Sequence, residues 1–64
     1  MSEMLGNRYF LARQFNKAIP YFEETLAHNP DADLVRKKLI ICYIEMGNVS
    51  QAFNLFYKLV KKDP

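Results

Sequence analysis

Moved along by 34 positions, the sequence lands on itself. Leu5, Tyr9, Ala18, Phe22 and Pro30 recur as Leu39, Tyr43, Ala52, Phe56 and Pro64, with every residue type kept. A chain of 64 residues with that period is one domain over 1–64, built from two copies of one unit, about 1–32 and about 33–64. The seam between them is Asn29-Pro30-Asp31-Ala32-Asp33. A unit of this size cannot bury its own apolar face, so stacked units must bury it for one another.

Each unit has room for two helices. Ser2 is placed to cap a first helix reaching about Ala12, with Met4, Leu5, Tyr9 and Ala12 on its inner side. Asn16 is the capping residue for a second helix that ends near His28, and Pro20 favours this late start because proline deep in a helix loses a hydrogen bond and clashes. A start at Phe15 would place Pro20 well inside the helix and predicts a bend there. Pro30 pushes the residue before it out of helical geometry. Asp31 then caps a third helix, with Asp33 in its first turn. That helix is apolar front and back, from Leu34 and Val35 to Ile44 and Met46, so it is sandwiched between neighbours. Gly47 ends it, and Asn48 with Gln51 opens a fourth helix running to about Lys62.

The fourth helix carries more apolar surface than one neighbour can cover. Val49, Ala52, Phe53, Leu55, Phe56, Tyr57, Leu59 and Val60 span an arc of roughly 200°, where roughly 100° suffices to pack on one partner. Either further repeats follow Pro64, or the chain self-associates through Phe53, Phe56, Tyr57 and Val60.

Composition removes other classes. Half the residues are hydrophobic and a quarter charged, which is the balance of a folded domain. The net charge of +2 is too small to indicate nucleic acid or an anionic membrane. The longest apolar run, Leu39 to Ile44, is far below the ~20 residues of a membrane-spanning helix. No secretory leader pattern opens the chain. The one cysteine, Cys42, has no disulfide partner or companion ligand, which fits a reducing, cytoplasmic setting.

The 34-residue period, with Leu5-Gly6-Asn7-Arg8-Tyr9, Ala18, Phe22 and Asn29-Pro30 at their spacings, resembles the tetratricopeptide repeat. The resemblance implies an all-α fold, two stacked antiparallel helical hairpins forming a short right-handed solenoid, and a protein-protein interaction module or scaffold. It also implies that Gly6 and Ala18 allow close helix approach. In the second copy, Ile40 stands for Gly6 and Leu59 for a small residue, so the second hairpin should be the more open one. Leu39-Ile40, Tyr43, Gly47-Asn48, Ala52, Leu55-Phe56 and Val60-Lys61-Lys62 are also similar to a pentatricopeptide repeat, which implies single-stranded RNA binding as the alternative. The period of 34, and Lys37 and Lys38 where that family reads bases with small polar residues, count against it.

No catalytic, metal or cofactor constellation can be assembled. His28 is alone in a last helical turn, Cys42 lies between Ile41 and Tyr43 in a buried helix, and Glu23 and Glu24 diverge by about 100° as solvated surface groups. Tyr9 and Tyr43 are packing residues with hydroxyls at an edge. Lys58, Lys61 and Lys62 complement a helix C-terminus. The resemblance implies a concave groove lined by the first helix of each unit. Glu3, Asn7, Phe10 and Leu11 fall there from the first copy, and Leu34, Lys37, Lys38, Ile41, Ile44 and Glu45 from the second. Glu3 and Lys38 stand where a carboxylate-holding member would have lysine and asparagine, so this groove is apolar with a basic edge. It suits an apolar or amphipathic peptide.

Overall fold

The computed structural model describes residues 2–61, so the repeat's closing pair Asp63-Pro64 and the neighbouring Lys62 lie outside the described residues. Four helices follow one another: α1 (Ser2–Leu11), α2 (Phe15–His28), α3 (Asp33–Glu45) and α4 (Val49–Lys61). No strand occurs among the described residues. Each helix packs on the next, α1 on α2, α2 on α3 and α3 on α4, and α1 also touches α3. This is an all-α pair of stacked helical hairpins. α3 is the central layer, and its Val35, Leu39, Cys42 and Tyr43 join Ala18, Phe22 and Ala52 in the core.

The two hairpins close with the same hydrogen bonds, displaced by 34 residues. Gln14 N–H donates to the Tyr9 carbonyl (2.9 Å) and Arg13 N–H to that of Phe10 (3.0 Å). In the second hairpin Asn48 N–H donates to Tyr43 (2.7 Å) and Gly47 N–H to Ile44 (3.0 Å). This pairing requires a left-handed residue after the helix. Gly47 supplies it at φ 79°, and Arg13 occupies the same place in the first hairpin at φ 62°. Glycine takes that conformation without cost, whereas arginine brings its Cβ against the following carbonyl.

Three helix starts differ from the sequence expectation, those of α2 and α3 because packing outweighs a capping preference. α2 begins at Phe15, not after Asn16, so Pro20 lies inside it. The reason is Phe15 itself, whose ring meets Phe10 edge-on at 5.8 Å and is worth more packed in the first turn than left in a loop. α3 is preceded by Ala32 as the N-cap instead of Asp31, since Ala32 packs against the core. Ser2 is the first residue of α1 and its hydroxyl donates to Glu24 Oε1 (2.7 Å), tying α1 to α2. Met4, Leu5 and Ala12, expected inside, are exposed. The inner residues of α1 are Gly6, Tyr9 and Phe10.

The difference between the hairpins is decided at one contact. A Cβ placed on Gly6 would lie 2.7 Å from Phe22 Cε1 and 2.8 Å from Cδ1. Only glycine admits that ring, and Phe22 is 0% exposed, with Phe10 edge-on to it at 6.0 Å. In the second hairpin the same position is Ile40, and Phe56, the repeat mate of Phe22, is 50% exposed. Bulk at position 40 closes the seat that Gly6 leaves open. Phe22 is also roofed by α3, while no described helix follows α4.

Candidate protein-interaction surfaces

At about 100° per residue, Leu34, Lys37, Lys38, Ile41, Ile44 and Glu45 share one side of α3. Leu34, Ile41 and Ile44 are all exposed there. Asn7, Phe10 and Lys38 are brought together: Lys38 Nζ donates to Asn7 Oδ1 (2.9 Å) and lies 6.0 Å from the centre of the Phe10 ring. This bond crosses from α1 to α3 and fixes one ammonium at the edge of the apolar strip. Lys37 and Glu45 are exposed on the same side of α3. Leu11, 81% exposed at the end of α1, stands at the margin. Glu3 is exposed and lines a separate polar hollow with Ser2, Glu24, Thr25 and His28.

The second surface belongs to α4. Phe53, Phe56, Tyr57 and Val60 are each half exposed or more. Phe53 and Phe56, with Ile40, Ile44, Val49 and Ala52, line an open apolar groove of about 240 Å³. Sequence reasoning placed Val49 on the over-wide apolar face of the fourth helix but missed the part of Ile40 in this groove, since it saw that residue only as bulk in the glycine position. Subtracting 34 gives Gly6, Phe10, Phe15, Ala18, Ile19 and Phe22, which in the first hairpin are Gly6 and the packed rings and aliphatics around it. That offset was the available signal. Ile44 borders both surfaces, so they are continuous around α3.

A third hollow, about 370 Å³, lies where α2, α3 and α4 meet. The buried Tyr43 donates its hydroxyl to Glu23 Oε2 across it, and Arg36 Nη2 donates to the Pro30 carbonyl (2.7 Å). Glu23 and Glu24 are therefore more than solvated carboxylates, because each ties α2 to a different neighbour. Tyr9 stacks on Tyr21 with ring centres 5.7 Å apart.

No nucleophile is prepared for chemistry among these residues. Cys42 is fully buried, and loss of solvation pushes its thiol up to about 11 despite a backbone hydrogen bond that works the other way. It stays protonated near neutrality, which removes the reactive thiolate. His28 Nδ1 is 3.0 Å from the Glu24 carbonyl in the last turn of α2. Among the described residues no group of three His, Cys, Asp or Glu side chains is arranged to hold a metal ion. No described helix is long and apolar enough to cross a membrane.

A family model described as tetratricopeptide repeat matches residues 9–64. No curated protein and no solved structure matches the chain at a significant level.

Proposed function

From the chain's membership of the tetratricopeptide-repeat family, whose repeats mediate protein-protein interaction, we propose that it is a scaffold module binding an apolar or amphipathic peptide against α1 and α3. The observation that carries this reading is the exposed strip Leu34, Ile41 and Ile44 beside a lysine held in place by Asn7. Apolar side chains of the peptide bury against the strip, and Lys37 and Lys38 favour an acidic flank. A fixed ammonium loses less side-chain entropy on binding than a free one. The test is a fluorescence-anisotropy titration with amphipathic helical and extended apolar peptides carrying acidic flanks. Binding that disappears in a folded Ile41→Asp/Ile44→Asp variant supports the groove. Binding retained by that variant removes it. Single-stranded RNA, the pentatricopeptide-like alternative, is tested in the same format, where its affinity would fall steeply with salt.

A second reading has its own support. The exposed Phe53, Phe56, Tyr57 and Val60 form an apolar face on α4 that favours self-association of the chain in a cytoplasmic setting. No catalytic role or cofactor is part of either reading.

A further inference from the structure

Resting on that second reading, we infer that self-association is a closed two-fold pairing of α4 with α4 from a second copy, running antiparallel, and not a head-to-tail extension of the stack. Val49, Phe53, Phe56 and Val60 follow the 4-3-4 spacing of a helix-packing seam. All four are exposed, with Tyr57 alongside and Ile44 at the rim. The chain shows what covers the matching stripe on α2, where Phe15, Ile19, Phe22 and Leu26 all belong to the core or pack against it. α3 roofs that stripe through the buried Val35, Leu39 and Cys42.

Head-to-tail stacking would ask α1 of a second copy to do for α4 what α3 does for α2. Shifted by 34, Leu39 and Cys42 correspond to Leu5 and Arg8. Cys42 is completely buried in its seat. Arg8 there would lose its solvation with no acidic residue on α4 to meet it, since that helix contains none. The copy's own α4 has no charge on the seam itself. Six half-exposed side chains at about 100 Å² each give a two-fold interface near the ~1,200 Å² lower limit of specific association.

Charge sets the direction. Lys58 and Lys61 are the only charged residues of α4 and both lie in its last turns, Lys61 with its ammonium 5.4 Å from the Tyr57 ring centre. Parallel pairing would bring these lysines onto their counterparts and align the helix dipoles. Antiparallel pairing moves the two copies of Lys61 about 18 Å apart along the helix and those of Lys58 about 10 Å apart, and it opposes the dipoles. It also carries Lys61 of each copy to the α3–α4 turn of the other, where the exposed Glu45 closes α3.

The test is sedimentation equilibrium of the 64-residue chain with Glu45→Lys, Lys61→Glu and the double exchange, each checked for helicity. The expected result is a mass that levels off at twice the 7.5 kDa of the chain. Each single reversal should weaken the dimer roughly tenfold, because the pair occurs twice, and the double exchange should restore it to within roughly twofold. Mass that keeps growing with concentration overturns the two-fold pairing but keeps self-association. A dimer indifferent to the reversals, or not rescued by the exchange, overturns the antiparallel α4 contact. A monomer at high micromolar concentration overturns the inference and the self-association reading together.

Discussion

At the scale of single residues, the internal repeat turns each position into a comparison with its mate. Gly6 is the clearest case. Gly6→Ala gains helix propensity of roughly 1 kcal/mol, but its methyl meets the ring of a fully buried Phe22 that Phe10 blocks from moving. Overpacking of this kind costs about 1–3 kcal/mol, so urea unfolding should show a net loss of stability. Arg13 gives the opposite sign. Its left-handed backbone costs roughly 1–2 kcal/mol that Gly47 avoids, partly offset by about 0.5–1 kcal/mol from its guanidinium 5.5 Å over Phe15. Arg13→Gly should stabilise the chain by about 0.5–1 kcal/mol in the same assay. Cys42 makes stability depend on pH. Its folded thiol titrates near 11 against 9.0 for a free thiol, so the folded state holds the proton more tightly. The contribution of Cys42 to stability is therefore full below about pH 9 and falls as pH rises toward 11, by about 2 kcal/mol. The slope should be shallower in Cys42→Ala, which lacks this one titrating group, when both are unfolded by urea across that range.

At the scale of elements, helix ends show where the sequence was legible and where it was not. Four helices, their order and the two tight turns followed from apolar spacing, Pro30 and Gly47. The starts of α2 and α3 did not, because a capping rule weighs one hydrogen bond while Phe15 and Ala32 are held by packing against the core. Gln14 precedes α2 without a side-chain cap, whereas its repeat mate Asn48 accepts the Gln51 N–H at 3.4 Å. Gln14→Asn should therefore add about 0.5–1 kcal/mol of stability, with the helical signal at 222 nm followed through thermal unfolding. Arg13's strain was readable only by adding 34 and finding Gly47. That Leu34, Ile41 and Ile44 share one side of α3 was readable from spacing, but the bond from Lys38 to Asn7 was not, since it joins residues 31 apart in sequence. Ile40 escaped notice as a groove residue because it is part-buried against the core and meets Phe53 and Phe56 only once α3 and α4 are packed together.

At the scale of the whole molecule, two copies of one pattern have unequal states. The first hairpin closes around Gly6 and Phe22 and is roofed by α3. The second, with Ile40 in the glycine position, leaves Phe56 half exposed and the α4 seam open. For a chain this small, which buries only roughly 60% of its unfolded surface, an apolar face of that extent weakens the helix that carries it. Association then stabilises α4 by covering it. Local stability should accordingly be lowest in α4 and should depend on concentration, while α2 and α3 exchange through near-global unfolding.

Amide hydrogen exchange, resolved by residue and repeated at low and high micromolar chain concentration, tests this asymmetry most directly. The expected result is that Ala52 to Val60 exchange faster than their mates Ala18 to Leu26 in dilute solution and gain protection as concentration rises. Equal protection of the two helices, unchanged by concentration, would contradict it.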